Sequence, residues 1–151
     1  MPCRLLLRVF GNEIRLEQDG QTIARETVAD PLEYLREFRK RYEVPAIPGL
    51  PRFTGGLVGY FGYDTVRAIE PVLGPSHKPD EIGGPDILLM VSDEVVVFDN
   101  LAGKLYVVIH VDPSADDAYA NGLQRLDELV DKLHDPLPLP RAGVEIGRAH
   151  V

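Results

Sequence analysis

Two tight-turn signals near the start of the chain constrain its fold more than any other feature. Gly11-Asn12 and Asp19-Gly20 lie so close together that only a short strand can lie between them. Asp-Gly is the strongest short hairpin signal, because both residues tolerate a positive φ angle. Between the turns, Glu13–Gln18 alternates charged and apolar residues, as a half-buried strand does. Residues 4–10, Glu13–Gln18 and Gln21–Thr27 are therefore predicted to form a three-stranded antiparallel meander.

A helix is predicted directly after the meander. Asp30 is a residue type that caps the first N–H groups of a helix, and Pro31 at the first helical position loses no hydrogen bond. Apolar residues then recur at helical spacing: Leu32, Leu35, Phe38 and Tyr42. The helix is predicted to end near Glu43, because prolines at every third position from Pro45 to Pro51 favour an extended connector.

The second half of the chain predicts more strands and one long helix. Residues 87–91 and 95–99 are strand-like, and the Ser-Asp-Glu between them is either a bulge or part of one long strand. Residues 104–111 predict another strand, and residues 115–133 predict a helix in which Gly122 permits close packing. The apolar stripe of that helix is predicted to be Tyr119, Leu123, Leu126, Val130 and Leu133. Hairpins outnumber crossovers, so an α+β fold is predicted, with helices packed on one face of an antiparallel sheet.

Composition and charge disfavour several classes of protein. The formal net charge is −8, and all of it lies beyond residue 45. Without a basic stripe, binding to nucleic acid or to an anionic membrane surface is disfavoured. A single cysteine, Cys3, excludes an internal disulfide framework and a cysteine-built zinc site. The lone thiol and the absence of a signal-like or membrane-spanning apolar run predict a cytoplasmic protein.

No constellation in the sequence predicts catalysis or metal binding. The histidines His77, His110 and His134 lack ligand-like spacing. The acidic pairs Asp93-Glu94 and Asp116-Asp117 are interpreted as solvated loop and helix-capping residues, the second pair in the first turn of the long helix. No catalytic, cofactor-binding or metal-binding residue is therefore assigned.

Glycines and large side chains interleave from residue 56 to residue 64, but not in a phosphate-loop pattern. Glycine in a strand marks a close backbone approach or a bulge. The glycines are therefore predicted to let another layer pack closely, while three aromatic residues fill the core: Tyr60, Phe61 and Tyr63. Asp64 is predicted to cap a short helix over Val66–Ile69.

Three stretches carry a resemblance to a known family. Residues 48–70, with Gly-Tyr-Phe-Gly-Tyr-Asp at their centre, resemble the N-terminal region of anthranilate synthase component I. Residues 85–99 are similar to the same family, and so is the long helix that closes on residues 127–130. The similarity covers residues 4–140, and Ala68 departs from the aromatic residue expected there.

The resemblance implies a part of a lyase that converts chorismate and ammonia or glutamine into anthranilate and pyruvate, in tryptophan biosynthesis. It also implies magnesium held by glutamates in the full-length enzyme, a glutamine amidotransferase component II as partner, and inhibition by tryptophan. The family's chorismate site and magnesium ligands lie in its C-terminal part, so no site residue is carried over. This segment is expected to be a scaffold that is inactive alone. The alternatives are a fragment of para-aminobenzoate synthase component I and a non-catalytic module that binds an aromatic ligand.

The end of the chain is not expected to belong to the fold. Residues 1–135 are predicted to be a partial N-terminal domain of the component I type, and residues 136–144 a proline-rich linker. Residues 145–151 match the translation of a common sequencing adapter, GAG ATC GGA AGA GCA CAC GTC. Such a scar is excluded from fold reasoning.

Overall fold

The computed structural model describes residues 5–74 and 80–136, and it confirms the predicted meander. Strands β1 (Leu5–Phe10), β2 (Glu13–Gln18) and β3 (Gln21–Thr27) pair antiparallel in chain order. Asp19 and Gly20 have φ angles of 50° and 81°. Positive φ at both central residues is what a type I′ hairpin turn requires, so the Asp-Gly signal fixes this hairpin.

Two later strands extend the same sheet on the β1 side. β5 (Ile87–Ser92) pairs antiparallel with β1, and β4 (Gly56–Phe61) pairs antiparallel with β5. The order across the sheet is β3-β2-β1-β5-β4. β5 therefore lies between β1 and β4 although it follows both along the chain, and β3 and β4 are the edges.

Helix α1 (Pro31–Lys40) begins as predicted at an aspartate cap. Oδ1 of Asp30 accepts hydrogen bonds from the backbone N–H of Leu32 at 2.9 Å and of Glu33 at 3.1 Å. Arg41 is the C-terminal cap, so the helix ends slightly earlier than predicted. The connector at 43–55 then contains neither helix nor strand, as its prolines indicate.

The main core lies between α1 and one face of the five-stranded sheet. Leu35 and Phe38 of the helix meet six buried sheet residues: Leu7, Val9, Ile14, Ile87, Leu89 and Val91. Fully burying a side chain of this size contributes about 1.5–3 kcal/mol. This layer therefore supplies most of the hydrophobic stabilisation of the described chain.

The remaining strands form a second, smaller antiparallel sheet. β6 (Glu94–Asp99) and β7 (Lys104–Ile109) pair as a hairpin. Asp93 alone separates β5 from β6. The predicted bulge or continuous strand at this position is therefore wrong, because the chain leaves one sheet and enters the other here.

Helix α3 (Ala118–His134) begins later than predicted. The Asp112 carboxylate accepts a hydrogen bond from the backbone N–H of Ser114 at 2.9 Å, which forms a turn, and Asp117 then adopts a φ angle of 54°. This left-handed residue delays the helix. Asp116 and Asp117 consequently precede the first turn of α3, and Asp117 makes no side-chain cap.

The inward face of α3 also differs from the predicted stripe. Leu129 is only 4% exposed, whereas Tyr119 is 76% exposed. A β-carbon on Gly122 would come within 2.8 Å of Cγ1 of Val111, so the predicted close packing at this glycine is confirmed. Because residues four and seven positions after Gly122 share its face, this contact directs Leu126 and Leu129 inward.

The α+β class is confirmed, with antiparallel sheets and packed helices. The structure adds that the two long helices pack against different sheets. α1 covers the five-stranded sheet, and α3 packs beside β7 of the second sheet.

Candidate functional site

Strand β4 and the turn that follows it form the segment that the sequence singles out. Gly59 lies opposite Leu89 of β5, and a β-carbon on Gly59 would overlap the carbonyl oxygen of Leu88. Glycine at this position thus permits a close backbone approach, as predicted. The approach is between neighbouring strands of one sheet, however, and not between two layers.

The aromatic residues of this segment do not fill a core. Tyr60 and Phe61 are exposed, and Tyr63 is 91% exposed. The prediction of a buried aromatic cluster is wrong because β4 is an edge strand, and no described strand pairs with its outer side. The Tyr60 hydroxyl donates to the carbonyl oxygen of Pro85 at 3.0 Å, which orients that ring along the sheet edge.

A compact turn follows β4. One turn of 3₁₀ helix (Tyr63–Thr65) leads directly into the short helix α2 (Val66–Ile69), which has no side-chain cap. Asp64 is therefore not the predicted cap. Its carboxylate accepts instead from Nε of Arg67 at 2.9 Å.

The Arg67 guanidinium also ties this turn to the segment that follows. Its Nη1 donates to the carbonyl oxygens of Leu73 and Gly74, at 3.2 and 3.0 Å. These two residues come just after α2, at the end of the second 3₁₀ turn, Pro71–Leu73. Arg67 thus joins the 3₁₀ turn that contains Tyr63 and Asp64 to the backbone at residues 73–74.

Asp86 is the organising residue that sequence analysis missed. Its carboxylate accepts from the backbone N–H of Gly11 at 2.6 Å, and its own N–H donates to the Val9 carbonyl at 2.8 Å. Its carbonyl oxygen accepts from the N–H of Gly62 at 2.6 Å and from the hydroxyl of Thr65 at 3.2 Å. Asp86 therefore joins the first hairpin of the meander to the end of β4.

A shallow cleft of about 490 Å³ lies between the connector and the β6–β7 hairpin. It is lined by Gly49, Leu50, Pro51 and Arg52 on one side and by Val97, Phe98, Asp99, Asn100, Leu101 and Tyr106 on the other. Its walls are mostly aromatic and aliphatic, and they carry one basic residue, Arg52, and one acidic residue, Asp99, so the lining favours neither sign of charge. The Asp99 carboxylate caps the hairpin turn, accepting from the N–H groups of Leu101 and Ala102.

Of the histidines singled out by the sequence, His110 makes a structural contact. Nε2 of His110 lies 2.9 Å from the carbonyl oxygen of Thr54, just before β4. His134 lies in the last turn of α3, as predicted. His77 and Cys3 lie outside the described residues, as do residues 137–151.

Glu94 is a strand residue and not part of a solvated loop, which corrects the interpretation of the Asp93-Glu94 pair. Its carboxylate accepts two hydrogen bonds from Arg125 of α3, at 2.7 and 3.0 Å. Arg125 also donates to Glu128 at 2.8 Å. The hydrogen bonds to Glu94, and then those to Glu128, raise the pKa of Arg125, and this ion pair fastens α3 to the second sheet.

Two further observations concern only residues 5–74 and 80–136. Within these ranges, no three His, Cys, Asp or Glu side chains come close enough together to hold a metal ion. Among the same residues, none of the helices has the length and apolar character needed to cross a membrane.

Comparison with known proteins identifies the segment. No protein-family profile matches the chain. It is 52% identical over 149 residues to anthranilate synthase component 1 of Pseudomonas aeruginosa, covering 99% of this chain and 30% of that protein. It is 50% identical over 146 residues to the Pseudomonas putida protein of the same name, covering 97% of this chain and 29% of that protein.

The fold comparison agrees. The crystal structure of anthranilate synthase component I from Streptococcus pneumoniae superposes with a TM-score of 0.65 at 26% identity, over 91% of this chain and 29% of that one. The chain thus spans about 30% of the length of the curated relatives it matches. By sequence and by fold, it belongs to the anthranilate synthase component 1 family.

Proposed function

We propose that this chain is an N-terminal scaffold segment of the chorismate-using large subunit of anthranilate synthase. The observation that carries the proposal is the 52% identity to the Pseudomonas aeruginosa protein, spread over 99% of this chain. The whole protein would convert chorismate and ammonia or glutamine into anthranilate and pyruvate, as a cytoplasmic lyase of tryptophan biosynthesis.

The scaffold role is argued from the contacts of the segment itself. The Gly59 approach to β5 and the four hydrogen bonds of Asp86 fix β4 and its turn against the meander. Each of these contacts involves a backbone group of a strand or turn, which supports a structural role for Gly59 and Asp86. We assign the catalytic region to the part of the polypeptide that the relatives have beyond this match.

The magnesium ion of the proposed enzyme does not fit the described residues. Magnesium prefers several oxygen ligands in octahedral geometry, usually including carboxylates. Within residues 5–74 and 80–136, no acidic residues form such a group. The ion and the chorismate are therefore assigned to the remaining polypeptide, and a glutamine amidotransferase component II is proposed as the partner that supplies ammonia.

Recovery of the native locus tests the proposal most directly. We expect the reading frame to continue past the codon of Pro140, and the codons after residue 144 to differ from the adapter sequence. The linker at 136–144 and the adapter origin of 145–151 are tested by the same experiment. A native stop codon directly after Pro140 would contradict the fragment proposal.

The full-length protein then discriminates between functions. With chorismate, ammonia and magnesium, we expect anthranilate as the product, measured by its fluorescence and by chromatography, and no product from residues 1–151 alone. If the product is para-aminobenzoate, the protein is a para-aminobenzoate synthase component I and the proposed function is wrong. Calorimetric binding of tryptophan or chorismate to residues 1–151 alone would instead favour a free-standing module for aromatic ligands.

A further inference from the structure

The two edges of the five-stranded sheet differ in how well they resist pairing with another strand. β3 carries Arg25 and Glu26, and its pairing with β2 shifts register between Leu16 and Glu17. Charged side chains and bulges are the usual protection of an edge strand. β4, by contrast, reads Gly-Leu-Val-Gly-Tyr-Phe, without a charge or a proline, and pairs with β5 in unbroken register.

An apolar surface adjoins the unprotected edge. Because alternate residues of a strand point to opposite faces, the face away from α1 carries Leu6 of β1, Leu88 and Met90 of β5, and Val58 and Tyr60 of β4. The register places Leu6, Met90 and Val58 in one row across the sheet, and Leu88 beside Tyr60 in the next. All five side chains lie outside the buried cluster and are partly or largely exposed.

This surface ends within β1, where Arg8 lies beside Leu88 in the row that also contains Tyr60. On the same face, Glu13 binds Arg15 and Arg25, and Arg8 binds Glu17 at 3.0 Å. The Arg15 guanidinium also lies over the Phe10 ring, 4.4 Å from its centre. These charged side chains form ion pairs with one another within the sheet, which is typical of a sheet face that is in contact with water. A covering layer would therefore extend over β4, β5 and the Leu6 end of β1, about 10 Å at the usual strand spacing.

We propose that in the complete polypeptide β4 is an internal strand. A further strand pairs with the edge of β4 that no described strand occupies, and an apolar layer covers the surface of Leu6, Leu88, Met90, Val58 and Tyr60. Both come from the part of component 1 that lies outside this chain, so the inference rests on the proposed function. The supporting observation is that about 70% of each curated relative's length has no counterpart here, since the chain spans only 30% and 29% of them.

A second copy of the chain fits this surface less well than the rest of component 1. The net charge of −8 makes two copies repel each other. The surface also lacks a basic patch that would attract an acidic copy, because its neighbouring arginines are already paired within the sheet.

The test compares backbone amide exchange in two proteins. One is residues 1–151 alone, and the other is a chimera in which this chain replaces the matching segment of Pseudomonas aeruginosa component 1. We expect the amides of β4 that face away from β5 to exchange at least about tenfold more slowly in the chimera. Val58→Lys is expected to abolish that slowing, whereas the matched control Ile23→Lys, on the exposed and protected edge strand β3, leaves it unchanged.

The outcomes separate this inference from the proposed function. Equal exchange of β4 in both proteins, in a chimera that makes anthranilate, overturns the inference and leaves the function standing. Slowed exchange without anthranilate supports the inference and counts against the function. A concentration-dependent dimer of residues 1–151 in which β4 is already protected, measured by sedimentation and exchange, overturns the inference in favour of a second copy.

Discussion

The two sheets of this chain are built from strands of similar apolar character but bury them very differently. In β5, Ile87, Leu89 and Val91 are buried, whereas no residue of β6 is, although β6 carries three consecutive valines and Phe98. β5 has a strand on each side and lies under α1, while β6 has only β7 beside it among the described strands. The comparison shows that burial is set by the number of neighbouring elements and not by the strand's own sequence.

This difference implies a gradient of local stability. An isolated two-stranded hairpin is marginally stable in water, so β6 and β7 depend on α3 and on the Arg125–Glu94 ion pair. The five-stranded layer has its own core. We therefore expect the hairpin and α3 to open at lower free energy than the five-stranded sheet.

The largest expected effect follows from Gly59→Val in the five-stranded sheet. The new β-carbon would overlap the Leu88 carbonyl, which belongs to the backbone and cannot move aside cheaply. We expect a loss of more than about 4 kcal/mol, or no soluble protein, measured by urea unfolding and soluble yield. Gly84→Ala is the control, because only the Ile82 side chain lies near that position, at 3.9 Å. A Gly59→Val variant as stable as the control would refute the close approach.

A pair of phenylalanine truncations compares the two sheets directly. Phe38 is 2% exposed under the five-stranded sheet, and Phe98 on the hairpin is 67% exposed. Phe38→Ala is expected to cost about 3–5 kcal/mol through lost burial and a cavity. Phe98→Ala is expected to cost less than about 1 kcal/mol, and urea denaturation measures both. Similar losses at the two sites would remove the proposed difference between the sheets.

Asp86→Ala tests the residue that joins the meander to β4. It leaves the N–H of Gly11 without its acceptor but keeps the backbone bonds of residue 86. Because the Gly11 N–H is exposed and can bind water instead, we expect a loss of about 0.5–1.5 kcal/mol in urea unfolding. Asp80→Ala is the control, since among the described residues that carboxylate accepts from the backbone N–H groups of Ile82 and Gly83 in its own loop. Equal losses of unfolding free energy in the two variants would show that the Asp86 carboxylate does not stabilise the junction between the meander and β4.

Arg125→Met is expected to lower the local stability of the β6–β7 hairpin and α3 without changing that of the five-stranded sheet. The change removes both hydrogen bonds to Glu94, a carboxylate that is only 12% exposed. Amide exchange should become faster in α3 and β6 and stay unchanged in β1 and β5, as measured by mass spectrometry. The matched control, Arg36→Met, breaks the exposed pair with Glu33 and should alter exchange little. Faster exchange throughout the chain would contradict separate local opening.

The smallest effect is a dependence on pH shared by both regions. Hydrogen bonds from Arg25 and Arg15 hold the pKa of Glu13 below its ordinary value of 4.5, and one from Arg125 does the same for Glu128. The unfolded chain therefore binds these protons at higher pH than the folded chain. Their stabilisation is complete above about pH 5 and is lost as the pH falls through the folded pKa values.

Urea midpoints measured between neutral and acidic pH check this dependence. Glu13→Gln and Glu128→Gln should each make the midpoint fall less steeply below the ordinary carboxyl pKa. High salt should have a similar, weaker effect, because it screens exposed ion pairs. Unchanged pH profiles in both variants would show that these carboxylates do not contribute.

Local signals account for the parts of the fold that the sequence predicts correctly. The Asp19-Gly20 turn and the Asp30 cap act within a few residues, so the meander and the start of α1 follow directly from their residue types. Gly122, a glycine inside a helical pattern, likewise predicts the close packing against Val111 that the structure shows. The family resemblance, carried by residues 48–70 and 85–99, is confirmed by the curated relatives.

The features that were missed depend on distant partners. The change of sheet at Asp93 and the exposure of Tyr60 depend on which strands lie alongside, which no local pattern records. The role of Asp86 depends on Gly11, 75 residues earlier in the chain. Its one sequence signal is the Pro-Asp dipeptide just before a predicted strand, which is too common to single it out.

The position of β5 between β1 and β4 has a consequence for how the chain is made. The ribosome releases the meander first, and the strand that completes the neighbouring side of β1 emerges only after residue 92. Until then, β1 has a free edge, and its apolar side chains lack the cover of β5. Pairings between strands so far apart in the chain form slowly. Until β5 arrives, the nascent chain therefore has an additional open strand edge that favours aggregation.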